Sequence, residues 1–218
     1  QRQMCIRDSG MLNPVEKICP LLKEYGILTV VDSVSGMFGN HMDVDKFQID
    51  LLCGGSQKAV SAPPGLTFVT ISDAVKDAMH ERKTPIRSFY ASLLAFEGYY
   101  EKKWFPYTMP ISDIYGLRAA FDNIASDPEL EERTHRIAEA ARRALTEAGL
   151  KLHLESGFSD TVTVFDIPAE TTCDAILSRM KKEHNIMLAG SFDDLSGKVI
   201  RICLLYTSDA ADDRISVD

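Results

Sequence analysis

Three residues of this sequence carry groups suited to chemistry and stand at, or within, short apolar runs. Asp32 follows the β-branched run 27–31. Lys58 closes Gly54-Gly55-Ser56-Gln57-Lys58, just past the run 49–53, and Arg201 lies inside the run 199–202. A carboxylate offers a fixed negative charge, an amine offers a nucleophile, and a guanidinium offers a planar fork matching a carboxylate in bidentate geometry. Taken singly, each has a plainer reading. A carboxylate after a strand serves as a turn or cap residue, a lone lysine is a solvated surface group, and a strand arginine snorkels or pairs.

Together the three define a narrower chemistry. An amine that forms a Schiff base, a carboxylate that keeps a pyridine nitrogen protonated and an arginine for a substrate carboxylate are the requirements of pyridoxal phosphate catalysis. That ring acts as an electron sink only while its nitrogen carries a proton. Small residues before Lys58 let the backbone and the Ser56 hydroxyl approach a phosphate.

The elements that must position these groups are legible in outline. Asn13 is placed to cap a helix with Pro14 at its first position. Ile18, Leu21, Leu22 and Tyr25 form its apolar stripe, and Gly26 supplies a left-handed stop. The runs 27–31, 49–53 and 66–71 have the pattern of buried strands, and Ser72 is placed to cap the helix that follows. Such a series predicts an α/β layer, in which ligands collect at the carboxyl ends of strands. The stretch 83–110 is rich in aromatics and reads as core and interface packing. A helix is predicted over 112–124. Another opens at Asp127-Pro128-Glu129, buries Leu130, Ile137, Ala141, Leu145 and Ala148, and ends at Gly149. A strand over 161–167, a helix over 174–184 and a strand over 199–202 then form a small α+β unit, with the boundary near Ser126.

Composition excludes several classes. The 218 residues carry 24 Lys+Arg against 32 Asp+Glu, a net charge of −8, and are 45% hydrophobic, which suits a soluble globular protein. The acidic balance argues against a nucleic-acid partner. No apolar run approaches the roughly 20 residues of a membrane helix, and no signal-peptide core opens the chain. The five cysteines are scattered, odd in number and never in a CxxC, which reads as reduced thiols in a cytoplasm. The five histidines lack metal-ligand spacing, so no metal site is expected. Segments 1–9 and 204–218 are patternless and resemble translated linker or adapter sequence.

Several ordered motifs carry a resemblance. Val30-Val31-Asp32-Ser33-Val34-Ser35, Ile49-Asp50, Gly55-Ser56-Gln57-Lys58-Ala59 and Ala62-Pro63-Pro64-Gly65-Leu66 are followed by Arg82-Lys83-Thr84 and Ser88-Phe89-Tyr90. Tyr107-Thr108-Met109-Pro110 and Gly197-Lys198-Val199-Ile200-Arg201-Ile202 complete the series. The sequence over about 10–202 resembles the class V aminotransferases of the fold type I pyridoxal-phosphate enzymes, most of all the alanine–glyoxylate / serine–pyruvate branch. The resemblance implies part of a mainly parallel α/β/α large domain over 10–126 and a C-terminal α+β small domain over 127–203. It implies that Lys58 forms the Schiff base and shuttles a proton, that Asp32 pairs with the ring nitrogen, and that Val34 packs on the ring. Ser56 and Gln57 would line the pocket near the phosphate or phenolic oxygen, and Thr108 would reach a phosphate across a homodimer interface. Arg201 would hold the substrate carboxylate. The implied substrates are a small amino acid, alanine or serine, and a small 2-oxo acid, glyoxylate or pyruvate.

The departures leave other readings open. The family has a glycine-containing phosphate loop, a ring-stacking aromatic and a final long helix that this chain lacks. Arg7 and Asp8 stand where the family has a Ser/Thr-rich turn, and Cys203-Leu204-Leu205 replaces the family's continuation. The alternatives are another class V enzyme or a non-catalytic fragment without the phosphate cup. The enzymes concerned are a ureidoglycine–glyoxylate or pyridoxamine–pyruvate aminotransferase, or a lyase or desulfurase.

Overall fold

A computed structural model describes residues 6–205. A short helical turn, α1 (Ile6–Ser9), is followed by α2 (Val15–Glu24), β1 (Val30–Asp32), β2 (Leu51–Gly55), β3 (Thr67–Ile71) and α3 (Asp73–His80). After an aromatic segment containing α4 (Tyr99–Lys102) come two longer helices, α5 (Ile111–Ala125) and α6 (Leu130–Glu147). The remainder is β4 (Val162–Asp166), α7 (Cys173–His184), β5 (Ala189–Gly190) and β6 (Val199–Cys203).

The first sheet has the order β1-β2-β3. β1 and β2 run parallel, with Asp32 opposite Cys53, whereas β3 is antiparallel to β2. The link 56–66 is too short for a crossover helix and folds into turns, so β3 must return antiparallel. Ile49 and Leu52 pack with Cys19 of α2 to form one core cluster, and Val60, Ala62 and Ala120 form a second beneath Phe38, Phe68 and Phe121.

A single carboxylate ties these elements together. Asp50 is 1% exposed and accepts hydrogen bonds from the Thr29 amide at 3.0 Å and the Ser72 hydroxyl at 3.1 Å, with Lys23 Nζ 3.6 Å away. Ser72 in turn caps α3 by accepting the Val75 amide. One side chain thus joins α2, the approach to β1, the start of β2 and the cap of α3.

Three local expectations need correction. Asn13 is not the N-cap of α2: Pro14 occupies that position, and the Asn13 carbonyl accepts the Val15 amide. Neither 66–71 nor 27–31 is a buried strand: Thr67, Val69 and Thr70 of β3 are exposed, and most of the run 27–31 is not strand at all. Only Val30–Asp32 is extended, Ile27 and Leu28 are exposed, and Val30 is 73% exposed. Among the described residues β1 pairs with a strand on one side only, which makes it an edge of the sheet. On α6 the deepest residues are Thr134, Ala138 and Arg142 rather than the predicted apolar set, and Ala148 is exposed. Arg142 is drawn inward by the Ser159 carbonyl and the Asp160 carboxylate, which satisfy its guanidinium at 3.2 and 3.1 Å.

The aromatic segment packs upon itself. Tyr107 stacks on Tyr90 at 4.2 Å and meets Phe89 and Phe96 edge-on, while Tyr90, Tyr100 and Trp104 stay exposed. The second sheet has the order β4-β6-β5, all antiparallel, with Val162, Val164, Val199 and Ile200 in its core. The inner ends of both segments read as foreign belong to this packing. Ser9 is fully buried, and Leu204 and Leu205 are buried, with the Leu204 amide donating to the Thr161 carbonyl. The outer parts of those segments, 1–5 and 206–218, lie outside the described residues.

Candidate active site

Because β1 and β2 are parallel neighbours, their carboxyl ends point the same way, and both candidate groups sit there. Asp32 is the last residue of β1. Its side chain is exposed, and its Oδ1 accepts the Val34 amide at 3.0 Å, which fixes the carboxylate's orientation while leaving oxygen lone pairs for a second donor. Burial pushes the neighbouring Cys53 thiol up from its ordinary range, and the Asp32 charge pushes it further. Cys53 is therefore a protonated thiol rather than a competing nucleophile.

Lys58 lies in the turn immediately past β2 and is half-buried. A tight backbone bond from the Ser61 amide to the Lys58 carbonyl, 2.7 Å, closes that turn, with Ser61 at φ +59. Among the described residues no ion pair engages the Lys58 amine. The loop is folded around Ser56, which is fully buried. The Ser56 hydroxyl donates to the Pro63 carbonyl at 2.6 Å and accepts the Leu66 amide at 3.3 Å. The Ser56 amide donates to the Leu66 carbonyl at 3.0 Å. Its hydroxyl proton is thus committed to the loop, a role that spacing alone did not suggest.

Gln57 is exposed and folds back over Gly55, where an added Cβ would lie 2.7 Å from the Gln57 Oε1. Val34 is half-buried beside Asp32. Thr108 is exposed and directly follows Tyr107, the hub of the aromatic cluster. Arg201 belongs to the second sheet, on β6 between Val164 and Ala189. Its Nε donates to the Gly190 carbonyl at 2.7 Å, and its guanidinium stands 5.0 Å from the Phe192 ring centroid. A backbone carbonyl on one edge and an aromatic face beneath hold the fork in one orientation.

The sequence did not single out Asp50, Asn40, Ser159 or Thr161. All four are buried polar residues that fix the elements carrying the candidate groups. Only Asp50 stood within a quoted motif, and neither spacing nor periodicity reveals a polar contact between distant segments.

The donor set fits pyridoxal phosphate. An oriented carboxylate ends β1, an amine that no ion pair engages among the described residues stands in the turn just past the parallel β2, and the buried Gly54 and Gly55 lead into that turn. No cluster of three or more His, Cys, Asp or Glu able to hold a metal occurs among the described residues. The arrangement of elements is that of the fold type I aminotransferases. Residues 7–188 match the family model described as aminotransferase class-V. An uncharacterized aminotransferase of Methanocaldococcus jannaschii is 35% identical over 198 residues, covering 89% of this chain and 51% of that protein. The alanine–glyoxylate aminotransferase of Rattus norvegicus is 32% identical over 210 residues, covering 90% of this chain and 50% of its own. The crystal structure of an alanine–glyoxylate aminotransferase from Nostoc sp. superposes with a TM-score of 0.88 at 28% identity, over 96% of this chain and 57% of that one. The chain belongs to the class V aminotransferases, and pyridoxal phosphate is its cofactor. It spans about half the length of the curated relatives it matches.

Proposed function

We propose that the protein transfers an amino group between alanine or serine and a small 2-oxo acid, glyoxylate or pyruvate. The placement of Asp32 and Lys58 at the carboxyl ends of adjacent parallel strands carries this reading. Similarity to alanine–glyoxylate aminotransferases supports the choice of substrates. Bound pyridoxal phosphate supplies an aldehyde and an electron-withdrawing ring.

The chain's own residues supply the rest. Lys58 would hold the cofactor through its Nζ, and its neutral amine would accept the proton from the substrate Cα. The Asp32 carboxylate would accept the ring N–H of the bound cofactor and keep that nitrogen protonated. Val34 packs on the ring, and Ser56 and Gln57 shape the lysine loop beside the cofactor's polar groups. Arg201 takes the substrate carboxylate, and Thr108 contributes to the cofactor site of a second copy in a homodimer. In this reading residues 10–126 form the cofactor-binding part and 127–203 the smaller part that brings Arg201. The four described cysteines are all free, which agrees with a cytoplasmic setting, and no helix among the described residues is long and apolar enough to cross a membrane.

A single-turnover donor screen tests the assignment. The cofactor-loaded protein should convert alanine or serine to its 2-oxo acid, and glyoxylate should then restore the starting spectrum. Turnover of a diamino or long-chain donor with no response to alanine or serine would contradict it.

A further inference from the structure

A buried polar clamp joins the loop that follows Asp32 to the strands that carry Arg201. Asn40 Nδ2 donates to Ser159 Oγ at 3.2 Å, and Asn40 Oδ1 accepts the Asp160 amide at 2.9 Å. Thr161 Oγ1 donates to the Ser35 carbonyl at 2.7 Å and lies 2.9 Å from Ser159 Oγ. Asn40 is 3% exposed, and Ser159 and Thr161 are wholly buried. The two segments touch so closely that a Cβ on Gly39 would come within 2.3 Å of Thr161 Cγ2. Arg142 holds the far side through the Ser159 carbonyl and the Asp160 carboxylate.

The clamp lies between the two halves of the site. Ser35 stands three residues past Asp32 on one side. On the other, Thr161 leads into β4, whose Val164 is the cross-strand partner of Arg201. We propose that Asn40, Ser159 and Thr161 are positioning residues that fix the distance between the Asp32 carboxylate and the Arg201 guanidinium. The inference rests on the reading that Arg201 takes the substrate carboxylate. Hydrogen bonds in a water-free contact tolerate little displacement, because a buried group that loses its partner keeps its desolvation penalty. A cofactor alone engages Asp32, Val34 and the Lys58 loop, all on one side of the clamp, and requires no fixed distance to Arg201. An amino acid seated on the cofactor must meet Arg201 as well, so only its binding depends on the fixed separation.

Thr161→Val removes one hydroxyl at nearly constant volume, Thr161→Ser keeps it, and Asn40→Ala cuts the other arm if Thr161→Val fails to fold. Each variant is titrated first with pyridoxal phosphate and then, when loaded, with alanine, by absorbance. Amide exchange is followed at 34–40 and 199–203 in the protein without ligands. The clamp predicts cofactor affinity within about twofold of the parent. It predicts alanine affinity about tenfold weaker for Thr161→Val and restored by Thr161→Ser, with faster exchange in both segments together. Unchanged alanine affinity with unchanged exchange, or equal loss of cofactor and alanine binding, would overturn it. Arg201→Ala separates the two readings. If that variant binds alanine like the parent, the substrate role of Arg201 fails, and the paired exchange response alone then decides the clamp.

Discussion

If Arg201 takes the substrate carboxylate as proposed, it cannot be exchanged for lysine without loss, although the charge would remain. A carboxylate held by a planar fork depends on direction, and the Gly190 carbonyl and Phe192 ring have already set that direction. Charge-assisted hydrogen bonds are worth about 1.5–3 kcal/mol, so Arg201→Lys should raise KM for the amino donor roughly 10- to 100-fold. Steady-state kinetics on the loaded protein check this, with cofactor affinity unchanged; a KM within twofold of the parent would remove Arg201 from substrate binding. At this scale the sequence was informative where side-chain type decides the chemistry. Asp32, Lys58 and Arg201 stood out because an acid, an amine and a guanidinium are chemically distinct and sit on apolar strands. Ser56 was less legible, because the direction of a hydroxyl depends on a rotamer and on the distant Pro63 carbonyl and Leu66 amide.

Elements are held by Asp50 and by close backbone packing. Burial raises the Asp50 carboxyl, but the Thr29 amide, the Ser72 hydroxyl and Lys23 outweigh it and hold it below the usual carboxylate range. A group lowered on folding stabilises the protein fully above its unfolded value and loses that contribution as pH falls through the folded value. Asp50→Asn should therefore cost about 1–3 kcal/mol at neutral pH. The gap between parent and variant should close as pH falls below the ordinary value of 3.8. Urea unfolding across that range measures it, and a gap independent of pH would contradict the role. Gly54→Ala would place a Cβ 2.3 Å from the Phe68 ring, which is packed against Phe121 at 5.7 Å and cannot yield. A loss of about 1–3 kcal/mol in the same assay is the expected overpacking cost. Helix existence and strand runs were readable from periodicity, as were the Ser72 cap and the stops at Gly26 and Gly149, both at positive φ. The antiparallel return of β3 was not, since an apolar run carries no direction. Nor was the inward face of α6, where Arg142 is buried only because Asp160 meets it.

At the scale of the molecule, the proposed site is divided between two sheets. One supplies Asp32 and the turn that carries Lys58, the other supplies Arg201, and contacts between residues 119 to 126 positions apart join them. Such contacts leave no periodic trace, so the sequence offers candidate residues but not the contacts that join the two sheets. The central claim is that this assembly presents Lys58 to pyridoxal phosphate. Its most direct test adds the cofactor to the purified protein and records the visible spectrum before and after borohydride, beside Lys58→Ala. The reduced adduct is then mapped by peptide mass. A visible band that borohydride removes is expected, leaving one stable adduct on Lys58, with neither band nor adduct in the variant. An adduct on another lysine, or an equal one in Lys58→Ala, would contradict it.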